Sequence, residues 1–205
     1  MEVNESGERT FSFARKPGAD TQIQKEELDV DILDQTNIFH IGSLSLTDQP
    51  ARDTTFYAVK RAKNKGSIIS YDPNYRSSLW ENEEIAKEHM RSLLPYVDIM
   101  KISDEETELL SGYENVIEAA EELYRQGVKI VAITLGRNGT YIYNKDGGRI
   151  VEGFAVEYVA DTNGAGDSFW GSFLYKLSQS DKRIDELTLE ELAEYARFGN
   201  AAASI

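Results

Sequence analysis

Short apolar runs alternate with segments whose apolar residues recur every three or four positions, and this alternation predicts the order of elements. Ile38-Phe39-His40-Ile41, Ser67 to Tyr71 and Val97 to Ile102 have strand length. Lys129 to Leu135 is apolar almost throughout, as expected of a strand covered on both faces. Between these runs, Asp53 to Lys65 reads as a helix stopped by Gly66. Glu83 to Leu94 sets Ile85, Ala86, His89, Met90, Leu93 and Leu94 on one helical face, which makes His89 a packed histidine. Val116, Ala119, Ala120 and Leu123 mark another helix, closed by Gly127. Ser103-Asp104-Glu105-Glu106 and Thr188-Leu189-Glu190-Glu191 are capping boxes, the second opening a helix that runs toward Ala203. Thr140 to Asn144 and Arg149 to Val159 read as antiparallel strands joined through Asp146-Gly147-Gly148. Gly164 to Leu177 is apolar nearly all round and predicts a buried helix.

Strands alternating with helices predict an α/β fold with a mostly parallel central sheet flanked by helices. Val3 to Phe13 reads as a hairpin turning at Ser6-Gly7, and Arg15 to Asp20 as a loop. Residues 1-20 are therefore expected to form a small hairpin unit, and residues 21-205 a single α/β domain. The chain begins within that hairpin and ends at Ala202-Ala203-Ser204-Ile205 without a helix stop, the pattern of a piece of a longer protein.

Composition narrows the chemistry. A formal net charge of -14 over 205 residues opposes binding to a nucleic-acid backbone or an anionic membrane surface. Without cysteine there is no disulfide, thiolate metal site or cysteine nucleophile, and two histidines disfavour a histidine-rich metal site. No apolar run reaches the length of a membrane span and no signal-peptide pattern opens the chain, so the cytoplasm is the expected location.

The segment that carries chemistry is Asp161-Thr162-Asn163-Gly164-Ala165-Gly166-Asp167-Ser168-Phe169-Trp170-Gly171. Small residues at 164 to 166 let a ligand approach the backbone, and the first-turn amides of the following helix favour negative charge there. Gly164, Ala165 and Gly166 thus form a candidate anion hole for a phosphoryl group. A carboxylate in that place, Asp167, makes sense as a base that takes a proton from an attacking hydroxyl.

This segment resembles the second signature of the ribokinase-like carbohydrate kinases, the phosphofructokinase-B family, in which a glycine turn holds the γ-phosphate and the last Asp is the base. Other segments follow the family's order. Thr134-Leu135-Gly136-Arg137-Asn138-Gly139 looks like its nucleotide loop, and also reads as a plain strand-ending turn. Phe198 to Ala203 looks like the helix beside the adenine pocket, with Asn200 near the base, and also reads as a small-residue packing face. Ser103 and Glu106 fall where relatives carry Asn-x-x-Glu, a motif linked to magnesium and phosphate placement. Ser replaces Asn here, and the capping box explains the same pair. Asp72-Pro73-Asn74-Tyr75-Arg76 looks like a segment of fructokinases and ketodeoxygluconate kinases, and offers Arg76 to phosphate oxygens. Arg9 to Asp20 resembles the fructokinase β-lid, with Arg15 toward the sugar and Ala14 where relatives often place Tyr.

The resemblance implies a ribokinase-like three-layer fold with a partial β-lid, incomplete at its N-terminus. It implies ATP and Mg2+ as cofactors, a monovalent cation such as K+, a small-molecule sugar substrate, and a homodimer for the complete protein. Fructose is the first expected substrate. Alternatives are 2-keto-3-deoxygluconate, a nucleoside, and, in another class, a catalytically silent binding module or an inactive fragment.

Overall fold

The structure, a computed structural model, describes residues 2–3, 9–10, 18–156 and 162–204. The sheet consists of β3 (Ile38–Ile41), β4 (Ile68–Tyr71), β5 (Ile99–Ser103), β6 (Ile130–Thr134), β7 (Thr140–Asn144) and β8 (Gly147–Val151), in that spatial order. Strands β3 to β6 run parallel, whereas β7 and β8 are antiparallel additions. At the N-terminus, β1 (Glu2–Val3) pairs antiparallel with β2 (Arg9–Thr10), as the predicted hairpin requires. The Ser6-Gly7 turn and Arg15 lie outside the described residues.

Helices cover both faces, which is the predicted three-layer α/β arrangement. They are α1 (Val30–Gln35), α2 (Ala51–Asn64), α3 (Glu83–Arg91), α4 (Thr107–Ser111), α5 (Val116–Arg125), α6 (Ala165–Ser178) and α7 (Leu189–Ala203). The alternation of side chains along each strand separates two cores. On one face Ile41, Ile69, Tyr71, Met100, Ile102, Val131 and Ile133 meet Val59 and Ala62 of α2, Met90 of α3 and Leu123 of α5. On the other, Ile99, Ile130, Ala132 and Ile142 meet Phe169, Trp170 and Phe173 of α6 and Leu192 and Ala196 of α7. Fully burying one such large apolar side chain contributes about 1.5–3 kcal/mol.

Local signals account for the helix ends. Asn82, Asn115 and Thr188 accept hydrogen bonds from first-turn amides of α3, α5 and α7. Both predicted capping boxes form. His89 is half-buried and stacks on Trp80, with ring centroids 6.1 Å apart.

Two expectations need correction. Strand β8 starts at Gly147, ends at Val151 and turns through Lys145-Asp146, because the ladder with β7 runs only from Asn144↔Gly147 to Thr140↔Val151. Residues 152–156 have no regular structure, and the rest of the expected strand lies outside the described residues. Helix α6 is not buried all round: Tyr175 is 56% exposed, and Asp167, Ser168 and Gly171 also face outward. Its apolar count reflects one packed face plus small residues and an exposed tyrosine.

Candidate active site

The glycine turn forms the start of α6. Gly164 is its N-cap, at φ 79°, a left-handed conformation natural to glycine. The Ala165 amide turns back onto the Thr162 carbonyl at 3.2 Å, and the Ser168 amide opens the helical ladder on the Gly164 carbonyl at 2.8 Å. The amides of Gly166 and Asp167 lie between these two bonds, in the turn where helix amides lack intrahelical acceptors. Beneath them, a Cβ added to Gly166 would stand 2.9 Å from Lys101 Nζ. A buried ammonium therefore lies against the same turn, adding positive charge to the positive end of the helix.

Asp167 is exposed and lines a pocket of about 360 Å³ with Asp20, His40, Ser45, Asp72 and Asn74. These residues come from the carboxyl ends of β3 and β4, from the segments that follow them, and from the loop before α1. The carboxyl ends of the strands are where open α/β sheets bind ligands. Asn74 takes a positive φ of 49°, in the left-handed region that Asn tolerates better than most residues.

Lys101 and Asp72 form an ion pair at 2.9 Å, their side chains 8% and 5% exposed. Asp72 Oδ1 is buried without a hydrogen-bond partner among the described residues. Burial pushes the Asp72 carboxyl up to about 6, against the lowering charge and hydrogen bond of Lys101.

The other expected site residues are distributed around this centre. Glu106 is buried, and both its oxygens are used: Oε1 accepts from the Tyr75 amide at 2.7 Å, and Oε2 from the Ser103 amide at 2.8 Å and the Ser103 hydroxyl at 3.0 Å. Glu106 thus ties the 72–76 segment to the end of β5. Arg76 is half-buried, donates to the Tyr75 carbonyl at 2.9 Å, and does not line the pocket. Thr134 ends β6 and donates to the Ile102 carbonyl at 3.3 Å. Gly136 and Gly139 flank the following turn at φ 54° and 97°. Asn200 is buried in α7, where its carbonyl accepts from Thr140 Oγ1 at 2.8 Å and its amide donates to the Val151 and Glu152 carbonyls at 3.0 and 3.2 Å. The polar atoms of Asn200 thus clip α7 to the ends of β7 and β8.

His40, Lys101, Asp72, Asn74 and Asp20 were not singled out from sequence. Two carried a signal: His40 and Lys101 are lone polar residues in the strand runs Ile38-Phe39-His40-Ile41 and Ile99-Met100-Lys101-Ile102. A lone polar residue on the face that its strand otherwise packs is hard to explain by packing alone.

The described residues fit a nucleotide carrying its own metal. Among them no group of three or more His, Asp or Glu forms a cage for a metal ion. Mg2+ is commonly held by one or two carboxylates together with substrate phosphates, and Asp72, whose Oδ1 has no hydrogen-bond partner among the described residues, would be one such carboxylate. Glu106, with both oxygens occupied, acts on any metal only through the loop it holds.

The mostly parallel sheet thus carries a helix-capping glycine turn and an exposed carboxylate at its carboxyl edge. The description "pfkB family carbohydrate kinase" matches residues 1–205, and the chain belongs to that family. It is 38% identical over 204 residues to probable fructokinase-2 of Arabidopsis thaliana, covering 99% of this chain and 61% of that protein. The fructokinase of Vibrio cholerae O395, in a fructose-, ADP- and calcium-bound form, superposes with a TM-score of 0.87 at 28% identity, over 98% of this chain and 64% of that one. The aminoimidazole riboside kinase of Salmonella enterica, complexed with aminoimidazole riboside and an ATP analogue, gives 0.81 at 30% identity, over 95% and 63%. The chain therefore spans about three fifths of the length of these relatives. Among the described residues, no helix is long and apolar enough to cross a membrane.

Proposed function

We propose that the full-length gene product transfers the γ-phosphoryl group of ATP to a primary hydroxyl of a neutral sugar, with fructose as the first substrate. The observation that carries this reading is the position of Asp167, at the first turn of α6 and open to the pocket that Asp72 and His40 also line. ATP supplies the phosphoryl group, and Mg2+ offsets its charge. Asp167 accepts the hydroxyl proton, the turn from Gly164 to Asp167 offers its amides to the developing charge, and Lys101 reinforces that positive field from below. Thr134, Gly136 and Gly139, with α7 ordered by Asn200, are the residues proposed to seat the nucleotide. A monovalent cation near the turn, Arg15 toward the sugar and pairing of two copies through the residue 1-20 lid belong to the same proposal.

The pocket lining favours a neutral substrate over 2-keto-3-deoxygluconate. Asp20, Asp72 and Asp167 contribute three carboxyl groups to it, and among the described residues no Arg or Lys lines it. A sugar acid would meet like charge there. The likeness to aminoimidazole riboside kinase keeps a nucleoside as the second reading.

The test is phosphorylation of fructose, ketodeoxygluconate and aminoimidazole riboside by the full-length gene product and its Asp167→Asn variant. Loss of a general base lowers kcat about a hundred- to ten-thousandfold. An unsubstituted protein that phosphorylates nothing on a broad sugar and nucleoside panel is a binding module instead.

A further inference from the structure

Toward the carboxyl ends of the central strands, the α6 side of the sheet turns from apolar to polar. Ile38, Ile68 and Ile99 belong to the α6 core, and two positions further along the same face stand His40, Ser70 and Lys101. His40 and Ser70 are register partners across β3 and β4. Ser70 is fully buried between two rings. Trp170 Nε1 donates to Ser70 Oγ at 2.9 Å, and His40 Nδ1 lies 3.0 Å from the same oxygen.

Hydrogen-bond accounting assigns the directions. An indole N–H only donates, so Ser70 Oγ accepts from Trp170. The two rings are the side-chain partners of this hydroxyl among the described residues, so its own hydrogen goes to His40 Nδ1. Nδ1 is then the acceptor, and the neutral imidazole carries its proton on Nε2. The ring is open to the pocket on one side, yet desolvation by the protein lowers its pKa. Asp167 raises it and Lys101 lowers it further. The ring is thus kept toward its neutral form.

Three Asp side chains give the pocket acceptors, and among its described lining residues the side chains able to donate are those of His40, Ser45 and Asn74. We infer that His40 is a further substrate-binding residue, held as the Nε2–H tautomer by the Trp170–Ser70 relay and donating one hydrogen bond to an uncharged oxygen of the sugar whose hydroxyl Asp167 deprotonates. The inference rests on the kinase reading of the site. Ser70 and Trp170 act through His40 as positioning residues. Because Trp170 lies three residues after Asp167 on α6, the helix that presents the base also orients the donor.

The chain has two histidines, so a His89→Gln background leaves one imidazole to observe. Long-range proton–nitrogen spectra of the full-length gene product are expected to show an unprotonated Nδ1 and a protonated Nε2 on His40. Fructose should shift the Nε2 signal, and Ser70→Ala should mix the tautomers. In turnover assays His40→Leu should raise the KM for sugar about tenfold while leaving the KM for ATP unchanged. His40→Gln, which keeps an N–H donor, should recover most of that loss. A protonated Nδ1, signals that ignore saturating fructose, or a His40→Leu enzyme with an unchanged sugar KM each overturn the inference. A protein that phosphorylates no sugar sinks the kinase reading separately, and the spectra decide the His40 assignment whatever the turnover.

Discussion

Lys101 Nζ stands 2.9 Å from Asp72 Oδ2, and both side chains are more than nine-tenths buried. Two charges removed from water at the carboxyl ends of adjacent strands hold each other, and removing one strands the other. Lys101→Met should lower stability by about 3–5 kcal/mol. Adding Asp72→Asn should restore much of the loss. Urea unfolding of the two single variants and the double variant measures the coupling.

The same pair predicts a pH dependence. Burial raises the Asp72 carboxyl from 3.8 to about 6 in the folded protein. The folded state therefore holds a proton that the unfolded state has released between these two values. The contribution is fully present below about pH 4 and is lost as pH rises through about 6. Comparing melting temperatures of wild type and Asp72→Asn across pH 4–7 should show this decline in the wild type and its absence in the variant. A parallel pair of curves would refute the assignment.

Two glycines should respond differently to alanine. A Cβ on Gly139 would lie 2.1 Å from the Val151 carbonyl oxygen and 2.5 Å from the Gly153 amide, at φ 97°. Backbone must move, so Gly139→Ala should cost more than about 2 kcal/mol and weaken nucleotide binding. A Cβ on Gly164 would meet nothing within 4 Å, and only its φ of 79° is unfavourable. Gly164→Ala should cost about 1–2 kcal/mol. Chemical denaturation ranks the two.

Asn200→Ala leaves the Thr140 hydroxyl and the Val151 and Glu152 carbonyls without their amide partner. A loss of about 1–3 kcal/mol is expected. Hydrogen exchange should localise the loosening to α7 and the end of β8, and nucleotide affinity should fall with it. An unchanged denaturation midpoint would show that water replaces the amide without loss.

Much of this architecture was legible because periodicity and packing coincide. Ile130 to Thr134 reads as a covered strand since both cores use it, and the boxes at Ser103 and Thr188 announce helices since their partners lie three residues away. The place of Asp167, exposed on the first turn of α6, was legible because the turn is one contiguous stretch. The misreadings have the opposite character. The end of β8 depends on the length of β7, and the exposed side of α6 depends on what packs against it. The polar row from His40 to Lys101 is assembled from three strands, and no single stretch shows that its members share a face. Asn200 illustrates a further gap: its bonds to backbone carbonyls were written nowhere in its own neighbourhood of sequence.

The separation of the two cores by the sheet has an optical consequence. The chain has two tryptophans, and each core holds one: Trp80 beside Leu93 and Tyr71, Trp170 beside Phe169 and Phe173. With Trp80 replaced by Phe, emission follows the layer that bears the glycine turn; with Trp170 replaced, it follows the opposite layer. Coincident midpoints in urea would make the sheet a rigid coupler of both layers. Separate midpoints would mean that the layer bearing the glycine turn can open while the other stays packed.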